Sequence, residues 1–255
     1  MAKSVLAIAA HPDDIEFFMS GTLMKLGEAG YATHYMNLAN GCCGTTQYDV
    51  ETIVAMRRTE AMAAAHSIGA TYHESICNDL EVFYNRELLG LVAATVRQVE
   101  PQIVLTHSPA DYMEDHMNAC RLAVTAAFAR GMPNFPVQPH CEPTSQPVTV
   151  YHAQPFSHRD PLGNPVIPDF FIDVGDVVER KTAMLAEHVS QKRWLDESQG
   201  HDSYLQTLRD LDAECGRMST TFDYAEGWRR RLHLGYCGPD DNPLADALSG
   251  CVHFA

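Results

Sequence analysis

The chain has no CxxC pair among its 8 cysteines, no G-x-G-x-x-G, no Gly-rich phosphate loop and little positive charge. Each absence excludes a class. Scattered cysteines, with Cys42-Cys43 as the one adjacent pair, argue for reduced thiols rather than a disulfide scaffold or a thiolate metal site. Without a glycine fingerprint after the first apolar run, neither a dinucleotide fold nor a P-loop is expected. Only 18 Lys and Arg stand against 33 Asp and Glu, a formal net charge of −15, so a nucleic acid or other polyanion is excluded as partner. The one basic run, Arg229-Arg230-Arg231, reads as a solvated helix face. No apolar run approaches the ~20 residues of a membrane span, and no small-residue cleavage site follows the short apolar stretch near the N-terminus. The expectation is a cytoplasmic protein with no membrane partner.

What is present is an alternation. Residues 5–10 read as a strand, followed by a helix with Ile15, Phe18, Met19, Leu23 and Leu26 at three-to-four spacing. A second strand spans 33–38, a Gly/Cys/Thr loop follows, and an Ala/Met-rich helix over 50–67 closes at Gly69. A strand at 71–76, a helix through Leu88, Val92, Val96 and Val99, a strand at 103–106 and a helix over 115–130 complete the first half. Such βαβ repetition means a Rossmann-like, doubly wound, mostly parallel α/β sheet in the order 3-2-1-4, with ligands beyond the carboxyl ends of strands 1 and 4.

Nine of the 14 prolines fall between Pro133 and Pro168, around a strand at 148–154, which reads as a long arm or lid. A strand at 170–174, helices over 177–195 and 204–214, and a Trp/Tyr-bearing tail follow. The expected organisation is a single domain over 1–255: a core at 1–131, the Pro-rich arm at 132–169 and a C-terminal extension at 170–255.

The strand tips carry the chemistry. Strand 1 ends in His11-Pro12-Asp13-Asp14, where Pro12 biases His11 towards an extended conformation. A helix cap by either aspartate is the plain alternative. Strand 4 runs into His107, Asp111, Asp115 and His116 within ten residues. Two neighbouring tips thus offer imidazoles and carboxylates. A catalytic zinc ion takes three protein ligands and an open position, which His11, Asp14 and His116 supply. Asp13 then projects beside that point, and Asp115 either caps its helix or supports a ligand.

These residues resemble the LmbE/PIG-L family of zinc-dependent N-acetylglucosaminyl deacetylases. AHPDD at 10–14 and Asp115-His116 carry the resemblance; Arg57-x-x-Glu60-Ala61 and His188-x-Ser190-Gln191 support it. It implies His11, Asp14 and His116 as ligands of Zn2+ or another divalent ion, Asp13 as general base, and Arg57 as a substrate contact, against a surface ion pair with Glu60. The implied reaction removes an N-acyl group, typically acetyl, from an amino sugar or its conjugate. With the Pro-rich arm, the resemblance also implies a homo-oligomer. Two departures stand out. Many family members carry a histidine three residues before the second zinc-binding histidine, where this chain has Met113, and a thioether donates no hydrogen bond. His107, Tyr112 or His188 is the expected replacement donor at the oxyanion, although His188 also reads as a buried structural histidine. Cys42-Cys43 stands where an acidic residue often meets the sugar, and Asp79, after strand 3, is expected to face the pocket. These departures leave an amidase for a non-sugar N-acyl compound, or a metal-retaining metabolite-binding module, as alternatives.

Overall fold

A computed structural model describes residues 3–199 and 203–255. Its strands are β1 (Ser4–Ala9), β2 (Ala32–Asn37), β3 (Thr71–His73), β4 (Ile103–Thr106), β5 (Thr149–Ala153), β6 (Phe170–Asp173), β7 (Ala225–Arg230) and β8 (Val252–Phe254). They form one sheet in the order β3-β2-β1-β4-β5-β7-β6-β8. The first five are parallel, as the βαβ alternation requires, and the β7 and β8 pairings are antiparallel. β5 lies inside the Pro-rich stretch, yet it pairs with β4 from Ile103–Thr149 to Thr106–His152. The described helices are α1 (Asp14–Phe18), α2 (Ser20–Glu28), α3 (Val50–Ser67), α4 (Arg86–Val99), α5 (Glu114–Ala129), α6 (Val178–Ala186), α7 (Val189–Gln199), α8 (Ser203–Ser219) and α9 (Pro243–Ala247).

β1 is buried along its whole length, and its period of two separates two cores. Val5, Ala7 and Ala9 join Leu23, Tyr35, Tyr151 and Trp228 on one face. Leu6, Ile8 and Ala10 join Val92, Val96, Leu122 and Val150 beneath α4 and α5 on the other. The register sets Ile8 of β1 against Thr106 of β4, so the segments that follow both strands emerge side by side at one sheet edge.

Three expectations change. The helix through Ile15 and Leu26 is two helices, broken at Met19. The Glu226 carboxylate of β7 accepts the N–H groups of Gly21 and Thr22 at 2.9 and 2.8 Å, satisfying donors that a new helix start leaves open. Helix 177–195 is likewise two. It restarts after His188, where the Glu60 carboxylate accepts from Ser190 N at 2.8 Å and Ser190 Oγ at 2.6 Å. Arg229-Arg230-Arg231 belongs to the strand region of β7, not to a helix face, and Arg229 donates to Ser108 Oγ at 2.8 Å. The tail also adds α9 and β8, which periodicity over so few residues cannot announce.

Candidate metal centre and its cavity

At the carboxyl ends of β1 and β4 lies a cavity of about 410 Å³, lined by His11, Asp13, Asp14 and His116. The turn after β1 shapes half of it. Asp13 has φ 106°, a left-handed conformation that costs a non-glycine residue energy and is sustained only where surroundings over-determine it. Its carbonyl accepts Phe17 N–H at 3.1 Å, opening α1, while its side chain caps nothing. The Asp14 carboxylate turns back and accepts the His11 N–H at 2.7 Å. The helix-cap reading of the two aspartates therefore does not hold.

His11, Asp14 and His116 each present one ligand atom, all within 4.8 Å of one another. His116 Nε2 stands 3.3 Å from Asp14 Oδ1, and His11 Nδ1 stands 3.5 Å from Asp14 Oδ2. The far nitrogen of each imidazole is held by a carboxylate: His116 Nδ1 lies 3.0 Å from Asp111 Oδ1, and His11 Nε2 lies 3.1 Å from Asp115 Oδ2. Such outer partners fix ring orientation and tautomer in metal sites. Asp115 thus serves the histidine of the other strand tip rather than its neighbour His116, and Leu80 N–H donates to it at 2.6 Å. Asp111, to which sequence reasoning gave no role, is the partner of His116; its five-residue spacing from His116 was the available signal.

Electrostatics agree with a cation at this point. Burial disfavours charged imidazoles, yet for His11 the Asp115 and Asp14 carboxylates outweigh it and raise its pKa to about 9. For His116, Asp14 and Asp111 outweigh burial and raise it to about 10. Burial opposes charge on Asp14 as well, but His116 and His107 hold it well below the usual carboxylate range. Carboxylates this enclosed demand positive charge, and a borderline divalent ion suits one carboxylate and two imidazoles. The donor set fits the implied metal.

A second combination, His107, Asp111 and His116, also meets the 4.8 Å criterion. Its atoms are already engaged with the first set: His107 Nε2 accepts the Ala10 N–H at 3.0 Å and lies 3.3 Å from Asp14 Oδ2, and His116 Nδ1 lies 3.0 Å from Asp111 Oδ1. His107 stacks on His116 with ring centroids 4.1 Å apart and does not line the cavity, so it is no oxyanion donor. His188 is also set back. It is fully buried, and its Nε2 lies 3.1 Å from Glu16 Oε1, which also accepts from Tyr35 at 3.1 Å.

Arg57 does not meet Glu60. It is buried, donates to Pro12 O and Gln191 Oε1, and approaches Asp13 Oδ2 at 3.5 Å. Tyr204 of α8, which no motif marked, donates to the same oxygen at 2.8 Å. Both contacts fall on Oδ2, leaving Oδ1 of Asp13 for other chemistry. Burial raises the Asp13 pKa; Arg57 opposes it and the Asp14 charge adds to it. Asp79 does reach the cavity wall, accepting from Gly41 N and Cys43 N at 2.7 and 2.8 Å. It supplies a carboxylate where Cys42-Cys43 offers none. Tyr112 and Met113 line the wall beside His116, the Tyr112 ring edge-on to it at 5.6 Å. Burial, then Asp14, pushes the Tyr112 phenol up, so it stays a donor.

Fold and cavity define the class: a Rossmann-like α/β protein whose switch point gathers a His/Asp cluster fit for a divalent ion. The chain belongs to the PIG-L family, described as GlcNAc-PI de-N-acetylase, which matches residues 6–128. It is 31% identical over 202 residues to diacetylchitobiose deacetylase of Thermococcus kodakarensis, covering 74% of this chain and 70% of the relative. A 4-oxalmesaconate hydratase of Pseudomonas putida is 28% identical over 191 residues, covering 72% of each chain. The solved structure of N,N'-diacetylchitobiose deacetylase from Pyrococcus horikoshii shares the fold, with TM-score 0.77 and 24% identity over 91% of this chain and 85% of that one. No helix among the described residues is long and apolar enough to cross a membrane.

Proposed function

We propose that this protein is a metal-dependent hydrolase that removes an acetyl group from an N-acetylated amino sugar or its conjugate. The observation that carries the reading is the convergence of His11, Asp14 and His116 on one open cavity with Asp13 beside them. Family membership and the diacetylchitobiose deacetylase relative support the acetyl-amino-sugar class. His11, Asp14 and His116 would hold the ion, with Zn2+ the best match to the donors. Bound there, it supplies Lewis acidity towards the amide carbonyl and lowers the pKa of water.

The chain's own residues do the rest. Oδ1 of Asp13 takes a proton from the attacking water and returns it to the leaving amine. Arg57 and Tyr204 hold Oδ2, so the carboxylate cannot rotate away from that task. With Met113 unable to donate, Tyr112 is the donor positioned to meet the oxyanion from the cavity wall. Asp79 and the backbone it orders offer hydrogen-bond partners to sugar hydroxyls.

The test is a panel of N-acetylated mono- and disaccharides and conjugates incubated with zinc-loaded protein. Mass spectrometry should find products lighter by one acetyl group and a matching yield of free amine. Products heavier by one water, without acetate, would place the chain with its hydratase relative instead.

A further inference from the structure

Cys42 and Cys43 have no part in the chemistry above, although Cys43 lines the same cavity. Their sulfurs lie 3.8 Å apart. Two thiolates on a tetrahedral zinc ion, each ~2.3 Å from it, are separated by about 3.8 Å. The third donor is Asp79, whose ligand oxygen lies within 4.8 Å of both sulfurs. The carboxylate is fixed by the Gly41 and Cys43 N–H groups, at 2.7 and 2.8 Å, and each oxygen keeps a further lone pair. The loop is ordered around it: Gly41 turns with φ +79°, Gly44 N–H returns to Gly41 O at 3.2 Å, and Cys42 N–H donates to Asn40 Oδ1 at 3.1 Å. Cys43 is exposed, which leaves an entry path from solvent.

We propose that Cys42, Cys43 and Asp79 form a second metal site, for a thiophilic divalent cation such as Cd2+ or excess Zn2+, in the wall of the active-site cavity. It shares no ligand with the His11, Asp14 and His116 set, and the two differ in softness. Thiolates select the softer ion, and the imidazole–carboxylate set takes the borderline one. Binding forms two metal–sulfur bonds and releases the two thiol protons to solvent, with no change of oxidation state. Because uptake displaces the thiol protons, it strengthens as pH rises. An occupied site narrows the cavity at Cys43 and diverts Asp79 from sugar hydroxyls, so excess thiophilic metal should inhibit. The scattered cysteines and the missing CxxC pair argue against a thiolate site in the sequence; the third donor, Asp79, lies 36 residues beyond Cys43 and is brought in by the fold.

The site is tested by titrating Cd2+ into the full chain, reduced with a non-chelating phosphine, while following bound metal and the ultraviolet thiolate-to-cadmium charge-transfer absorption. Two equivalents should bind to the wild type, one of them raising that absorption. The doubly substituted Cys42→Ser, Cys43→Ser protein should bind one equivalent and lose the absorption. The single Cys42→Ser variant, with unchanged circular dichroism, should bind the second ion more weakly. A single equivalent without charge transfer in the wild type, or an absorption that survives the double substitution, overturns the proposal. Because metal binding is the readout, the outcome is independent of whether the chain deacetylates sugars.

Discussion

The Tyr204 hydroxyl donates to Oδ2 of Asp13 at 2.8 Å, joining residues 191 positions apart. Burial, then the Asp13 charge, pushes the Tyr204 phenol well above its ordinary pKa, so the proton stays on the tyrosine and the bond keeps its direction. A hydrogen bond to a charged group contributes about 1.5–3 kcal/mol, so Tyr204→Phe should lower kcat by about 10- to 100-fold. Metal content should be unchanged. An unaltered kcat would show that Arg57 alone positions the carboxylate.

Tyr112 and Met113 test how the oxyanion is met. Removing one such donor typically costs about 100- to 1,000-fold in kcat, and Tyr112→Phe should fall in that range with KM little changed. Introducing Met113→His into that variant should recover part of the loss, since the imidazole donates where the thioether cannot. If Tyr112→Phe keeps its full rate, another group stabilises the charge.

Asp111 touches His116 but lines no part of the cavity. Asp111→Asn should weaken metal affinity about 10- to 100-fold, measured by competition with a chromogenic chelator, while the loaded enzyme retains most of its rate. Equal affinity would mean that His116 needs no support.

How far the sequence could be read follows from which interactions are local. β1, β2 and β4 and their order were legible because period-two burial and turn signals lie within each segment. His11, Asp14 and His116 were legible because two adjacent strand tips repeated the same residue types. Tyr204, and the opposite-tip pairing of Asp115 with His11, were not, because only the fold brings α8 and β1 to one place. The breaks at Met19 and His188 were hidden for a similar reason. Their cause is a carboxylate from elsewhere, Glu226 or Glu60, taking the N–H groups of a new helix start.

His152 lies behind the centre, its Nδ1 3.0 Å from the His107 carbonyl and 3.4 Å from Cys120 Sγ. Burial, assisted by Arg229 and opposed by the His107 hydrogen bond, lowers its pKa to about 4. The unfolded chain binds that proton near pH 6.5, earlier than the folded one, so this stabilisation is present above pH 6.5 and is lost as pH falls towards 4. His152→Gln removes the titration. The stability difference between wild type and variant should therefore shrink by ~3 kcal/mol from pH 7 to pH 4 in denaturant titrations, at about 1.4 kcal/mol per pKa unit. A gap constant with pH would mean that His152 is not held neutral.

In the proposed function a metal held by His11, Asp14 and His116 acts together with Asp13 as the proton-transfer group. The decisive experiment measures acetate released from an N-acetylated amino sugar by wild type and Asp13→Asn, with metal content determined on the same samples. One firmly held ion per chain is expected in both proteins, with acetate from the wild type and turnover lost by several orders of magnitude in Asp13→Asn. Wild-type acetate release by the Asp13→Asn protein, or by protein stripped of metal, would contradict that function.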